Sequence, residues 1–444
     1  MEAQQYGMAD LAARLTKRLA DVNSNSNLVF SPLSIYAVLA LLAAGAGGDT
    51  LEEVLRVIGA RSCRELEDSV TRLLRGPLRD TSESGGPSVA FAYGVWSDLT
   101  RAMKPAYRAA VVGTYKAEAS VVDFLHDPEQ AKRQIDAWVA EATRNVVTSA
   151  VPPGSLCVDT KLVLANAVYF RGKWDLPFYE SETKRRPFYR LDGTAVDVPF
   201  MTNPYRHYIA EHDGFKVLKL CYENSYYTRF HHCMCIFLPD ALDGLGSLLD
   251  KVTSSPGFVQ EYLPKSTVEV RHFWVPKFEL SFQSSITAVL NDLGLRLPFS
   301  PEADLSEMLE DDDSNSPPLV QDVFQKAVIE VNEEGTEAVA VTMAFSPCSP
   351  TYSPGVSRRV DFVANHPFAY FIVEEGSDAV IFAGHVVDPS NGTGVVIPSP
   401  APFQTSRSTR VHHAQHIVTH VHQENVYSPR PNIIDLDFSK YGYT

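Results

Sequence analysis

Polar and apolar positions change rhythm partway along this chain. Leu11, Leu15, Leu19 and Val22 recur at helical spacing, and Ser31-Pro32 supplies a cap and a first-turn proline for the apolar run Leu33 to Ala44. Asp49 with Glu52 reads as a variant capping box ahead of a helix over Leu51 to Ile58. A further helix is predicted from Glu129 to Val147, with Ile135, Trp138, Val139 and Ala142 on one side. Beyond it, Leu162 to Phe170 is a nearly continuous run of strand-forming apolar residues, the pattern of a strand covered on both faces. Strands are also predicted over His207 to Leu220, Phe230 to Leu238, Thr267 to Leu280, Ala327 to Val331, Phe368 to Val373 and Val380 to Val387. Helices first and strands later, without regular alternation, give an α+β fold rather than a doubly wound sheet.

One stretch has a rhythm of its own. In Val331 to Thr342 small residues recur at every second position, so Thr336, Ala338, Ala340 and Thr342 would share one face of an extended strand. Glu337, Val339 and Val341 would take the other face, where β-branched residues favour the extended backbone. A segment built this way can be an exposed loop and can also slide into a crowded sheet. Two other stretches break the globular texture. Glu310 to Pro318 is a solvated acidic loop, and from Thr393 to Thr444 the chain is rich in Pro, Ser and His, as expected of a disordered extension to a domain over residues 1–392.

Composition narrows the function classes. With 444 residues, 45% of them hydrophobic, the chain can bury a large core. A formal charge of -15 argues against nucleic acid, and the longest apolar runs fall short of a membrane span. The opening twenty residues carry polar and acidic groups in place of a signal-peptide core, which predicts a cytoplasmic or nucleocytoplasmic protein. Cys63, Cys157, Cys221, Cys233, Cys235 and Cys348 follow no repeating spacing, as expected of reduced thiols. The sequon at Asn391 then meets no glycosylating machinery.

Four blocks in order carry a family resemblance over roughly Leu11 to Pro389. They are Asn27-Leu-Val-Phe-Ser-Pro-Leu-Ser-Ile35, Leu164-Ala-Asn-Ala-Val-Tyr-Phe-Arg-Gly-Lys-Trp174, Glu333-Glu-Gly-Thr-Glu-Ala338, and Asn365-His-Pro-Phe368 with Phe382-Ala-Gly-His385. Together they resemble the signatures of the serpins, and the wording of the last blocks is similar to intracellular plant serpins. The resemblance implies a serpin fold, three β-sheets with about nine helices and an exposed reactive-centre loop, here about residues 335–359. It implies a protein that is not an enzyme, needs no cofactor and acts as a monomer. A serine or cysteine protease cuts the loop, the loop enters the main sheet, and the acylated protease is trapped covalently. Loop insertion in serpins is a known device.

Carried over residue by residue, the resemblance assigns the hinge to Glu333, Glu334, Gly335, Thr336, Glu337, Ala338, Val339, Ala340, Val341 and Thr342, with Ala344 extending the small row. Gly335 would give the backbone freedom to bend. Glu333 is similar to the residue that pairs with a lysine at the top of the sheet; Lys277 matches that lysine, and Trp174 would pack beside them. Where the central strands part, Ser31 and Asn166 match the family's hydrogen-bonding residues, whereas Gln325 replaces the usual histidine; its amide can both donate and accept. The family's count from the hinge puts the reactive bond at Ser349-Pro350. Proline after a cut suits few proteases, so Cys348-Ser349 is the alternative. Arg358 and Arg359 read as flanking charges close to the next strand. Pro350, Gln325 and a loop longer than the family norm keep a second function open, a non-inhibitory serpin that binds or supports another molecule.

Other chemistry carries little weight. His231-His-Cys-Met-Cys235 holds metal-ligand types, but Cys233 and Cys235 alternate along a strand and read as core. Asp311, Asp313, Asn315 and Asp322 mimic a calcium loop, yet Ser316 stands where glycine is required and two prolines follow. The tail histidines, His412 to His422, read as low complexity.

Overall fold

The apolar run after Ser31 becomes a helix buried on every side, and two sheets close around it. The computed structural model describes residues 3–224, 230–310, 318–336 and 359–392. The expectations for Glu337, Ala338, Val339, Ala340, Val341, Thr342, Cys348, Ser349 and Pro350, for most of the acidic loop and for residues 393–444, concern residues outside those described.

Nine helices run among the described residues: α1 (Ala3–Val22), α2 (Pro32–Gly45), α3 (Gly48–Ile58), α4 (Cys63–Arg75), α5 (Pro105–Ala110), α6 (Pro128–Ala142), α7 (Leu245–Val252), α8 (Phe258–Glu261) and α9 (Thr287–Asp292). The strands are β1 (Leu28–Phe30), β2 (Ser88–Asp98), β3 (Glu118–Val122), β4 (Leu162–Lys173), β5 (Lys184–Tyr189), β6 (Ala195–Met201), β7 (His207–His212) and β8 (Phe215–Cys221). They continue with β9 (His232–Pro239), β10 (Thr267–Pro276), β11 (Phe278–Ser285), β12 (Asp322–Val331), β13 (Gly335–Thr336), β14 (Arg359–Val363), β15 (Phe368–Glu374) and β16 (Ala379–Val386).

The strands form three sheets. The first runs β11-β12-β4-β2-β3, with β13 on the end of β4; the second runs β1-β16-β15-β9-β8-β7. The long strand β10 joins the second to a small third sheet, in which β10 carries β6 and β5 on one side and β14 on the other. Helix α2 packs against β16, β2 and β4, and the main core fills the space between the first two sheets. A strand covered on both faces is what the run Leu162 to Phe170 predicts, and β4 meets it. Leu162, Leu164, Val168 and Phe170 face the main core, while Val163, Ala165, Ala167 and Tyr169 face two smaller clusters under α6.

Several boundaries differ from the sequence reading for local reasons. Helix α3 begins at Gly48 after a Gly47 cap that offers no side-chain bond, so Asp49 lies in its first turn rather than capping it. Helix α6 stops at Ala142 because Arg144 and Asn145 take left-handed backbone angles, φ 55° and 63°. The stretch His207 to Leu220 is a hairpin, β7 and β8, turning at Gly214 with φ 84°. Thr267 to Leu280 is two strands in different sheets, broken at Lys277. Strands β1, β2, β3, β5 and β6 have no sequence counterpart; the burial of β5 and β6 is partial and weakly alternating.

Candidate functional site

Strands β12 and β4 lie side by side and parallel, Gln325 level with Asn166, whereas their outer partners β11 and β2 are antiparallel to them. A parallel ladder is slightly weaker per residue than an antiparallel one. The seam between β12 and β4 is the central parallel pair of this sheet, the other being β2 with β3 at its edge, and the described sequence-nominated residues sit on or near it.

At its upper end the chain leaves β12 and turns back. Asn332 Oδ1 accepts from the N–H groups of Glu334 (3.1 Å) and Gly335 (3.2 Å), and Asn332 N–H donates to Gly335 O (2.9 Å). Gly335 and Thr336 then pair antiparallel with Lys173 and Gly172 of β4. Gly335 also meets a local requirement at this turn. Its φ is not positive, but a Cβ would collide with the Gly172 carbonyl oxygen and come within 2.7 Å of the Lys173 Cα. Glycine is needed here for close backbone approach.

Around this turn the side chains interlock. The Trp174 indole donates to Asn332 O (2.9 Å), its backbone N–H donates to Glu334 O (2.8 Å), and its ring stacks on Tyr222 at 4.5 Å. The Tyr222 hydroxyl lies 2.9 Å from the Thr336 hydroxyl, and Thr336 is fully buried. Lys277 Nζ sits 2.7 Å from the Glu333 carboxylate, which also accepts from the Thr183 hydroxyl (2.8 Å). Burial by itself would raise the Glu333 carboxyl, but the bonds from Lys277 and Thr183 outweigh it and hold it below the usual value. With the Glu333 side chain 10% exposed, this ion pair is not a freely solvated surface contact.

Lower down, a polar cluster crosses the seam inside the core. Ser31 caps α2, its Oγ accepting from Ser34 N–H (3.2 Å). The Ser34 hydroxyl donates to Asn166 Oδ1 (2.8 Å), and Asn166 Nδ2 reaches the Phe324 carbonyl across the seam (3.4 Å). Gln325 Nε2 donates to Ser31 O (3.1 Å) and Ser34 Oγ (2.9 Å). Its Oε1 is buried without a hydrogen-bond partner. A glutamine thus binds the head of α2 as a donor, and its acceptor half is idle. Ser34, Asn332, Thr183 and Tyr222 were not singled out from sequence. Ser34 could have been, as the N3 residue after a serine cap; Tyr222 and Thr183 are brought in by strands distant in sequence and had no local signal.

The foot of β12 is anchored separately. Asp322 accepts from Ser285 and Thr287, and the Thr287 hydroxyl accepts from Val323 N–H (3.0 Å). Helix α6 lies across the outer face of β4 and β2 through Ile135, Trp138 and Val139. Any separation of β12 from β4 must break the Asn166 bridge and displace packing under that helix.

The chain matches the family model described as "Serpin (serine protease inhibitor)" over residues 6–389. It is 51% identical over 407 residues to a putative serpin-Z8 of Oryza sativa subsp. japonica, covering 86% of this chain and 96% of that one. Serpin-Z2A of the same plant is 48% identical over 419 residues, covering 87% and 98%. Among solved structures, Arabidopsis AtSerpin1 in its native stressed conformation superposes with a TM-score of 0.80 at 37% identity, covering 88% of this chain and 100% of that one. No helix among the described residues is long and apolar enough to cross a membrane.

Proposed function

The chain belongs to the serpin family, whose general property is protease inhibition without enzyme activity, and on that premise we propose that it is a suicide-substrate inhibitor of a serine or cysteine protease. The observation that carries this reading is the seam itself. A parallel pair, β12 and β4, stands at the centre of the sheet with the first two residues of the following segment already paired antiparallel at its mouth. An incoming strand would replace one parallel ladder by two antiparallel ones.

The register fixes what that strand would meet. Each step along the loop is one step back along β4 from the pair Thr336–Gly172, which sets Ala338 against Phe170, Ala340 against Val168, Thr342 against Asn166 and Ala344 against Leu164. Those β4 residues share the main-core face with the fully buried Thr336. Small, uncharged residues are what that space accepts, and Glu337 would fall on the other face. In the proposed cycle the protease attacks the carbonyl before the reactive bond, Ser349-Pro350 or alternatively Cys348-Ser349, and the ester or thioester forms as the peptide bond breaks. Insertion of Glu337 to Thr342 and beyond then carries the acylated enzyme away from its water-activating geometry. Residues 1–392 form the inhibitory domain in this scheme, with 393–444 as an appendage. The protein works as a monomer, in the cytoplasm or nucleocytoplasm, a location that cell fractionation tests.

Incubation with elastase-like, papain-like and trypsin-like proteases provides the test. A detergent-resistant adduct of chain plus protease is the expected product, and mass spectrometry of the released peptide identifies the bond. A second reading, a non-inhibitory serpin, is favoured by Pro350 after the nominal bond and by the idle acceptor of Gln325. Loop cleavage by every protease with no adduct would select it.

A further inference from the structure

Next to the turn that follows β12, three strands bring together groups that no sequence spacing links. Cys221 ends β8, Cys233 lies opposite it on β9, and Glu375 follows β15. The two thiol sulfurs and a carboxylate oxygen of Glu375 all lie within 4.8 Å of one another. Lys219 Nζ is 2.7 Å from Glu375 and on the same sheet face as Cys221. Cys233 is buried, Cys221 half-buried and Glu375 exposed, so the group opens to solvent on the carboxylate side.

We propose that Cys221, Cys233 and Glu375 form a binding site for a thiophilic divalent cation of the zinc or cadmium class. Two thiolates and a carboxylate are the donors such d10 ions take, and a fourth position stays open to water. The charges close as well: two thiolates, one carboxylate, a divalent ion and the Lys219 ammonium sum to zero. Thiol protons are displaced to solvent as the ion binds.

A disulfide is the competing use of the same pair, and the strand geometry admits it, although both thiols are free here. Tyr222 N–H donates to His232 O (3.0 Å), so Tyr222 and His232 are a hydrogen-bonded pair and Cys221 and Cys233 the alternate, close pair. Such pairs have Cα separations of about 4.5 Å, at the short limit of about 4.4–6.8 Å for a disulfide. The site also sits one residue from Tyr222, whose ring and hydroxyl hold Trp174 and Thr336.

Cobalt(II) titration of the full chain, reduced, reads the site through its thiolate-to-metal charge-transfer absorption, which the tail histidines do not produce. The expected result is saturation at one ion per chain, competition by zinc, and a raised melting temperature. Cys221→Ser with Cys233→Ser abolishes the band, Glu375→Gln weakens binding by about tenfold or more, and Cys63→Ser, Cys157→Ser and Cys348→Ser leave it unchanged. Glu375 is exposed, so its variant tests the site even where the double serine variant fails to fold. The proposal is overturned by the absence of the band at millimolar cobalt, by a band that survives the double variant, by Glu375→Gln binding as tightly as the parent, or by a parent that in air forms the Cys221–Cys233 disulfide even with zinc in excess.

Discussion

A single cut in the reactive loop should make this protein more stable, which an ordinary globular protein would not do. The ladder between β12 and β4 runs from Asp322–Val163 to Val328–Tyr169. Insertion removes it and pairs roughly ten loop residues on both sides, a net gain of on the order of ten backbone hydrogen bonds, each worth about 0.5–1.5 kcal/mol. The gain is therefore on the order of 10 kcal/mol, comparable with the whole stability of an ordinary domain. Unfolding entropy of about 2.1 cal/mol/K per residue over the folded part gives about 0.8 kcal/mol per degree, so the melting temperature should rise by roughly 12 °C. The assay is differential scanning calorimetry of intact and nicked protein, with mass spectrometry to show that the only cleavage lies between Gly335 and Arg359. A nicked protein that melts within about 2 °C of the intact one refutes the insertion argument, because no rearrangement of the seam would then have followed the cut.

Four further outcomes are expected. Thr336→Arg places a guanidinium at a fully buried position and should raise the number of inhibitor molecules consumed per protease severalfold, read as a stoichiometry of inhibition; an unchanged stoichiometry contradicts insertion past Gly172. Lys277→Met leaves the buried Glu333 without its cation and should cost about 1–3 kcal/mol by denaturant melts, while a double-mutant cycle with Glu333→Gln should return about 1 kcal/mol of coupling; zero coupling would make the pair incidental. Gly335→Ala should lower the melting temperature, since its methyl meets backbone rather than a flexible side chain; a neutral effect would show that the turn at Asn332 gives way freely. Acid should weaken the fold through His207, which is buried against Phe273 and bonded to Asn203 (2.7 Å), with its pKa lowered by burial from 6.5 to about 4. A depressed histidine contributes stability fully present above pH 6.5 and lost as pH falls towards 4, on the order of 3 kcal/mol, and His207→Gln should flatten the stability curve across that window.

The family was legible, and a hinge could be nominated, because both rest on linear patterns. An ordered set of four blocks, a serine–proline cap and a small residue at every second position survive any uncertainty about where elements end. The apolar run Leu162 to Phe170 announced a doubly covered strand for the same reason: every position is apolar, so no register needs to be known. What tertiary structure alone decided are relations between strands. Local sequence does not say that β12 lies parallel to β4, because pairing direction depends on the path between them. Nor does it say that Ser34 rather than Ser31 bridges to Asn166, that a Cβ at Gly335 would meet the Gly172 carbonyl, or that Tyr222 joins Trp174 to Thr336. The thiol and carboxylate cluster is the extreme case. Cys221, Cys233 and Glu375 share no motif, and only the alignment of three antiparallel strands converts separate residues into one set of ligands.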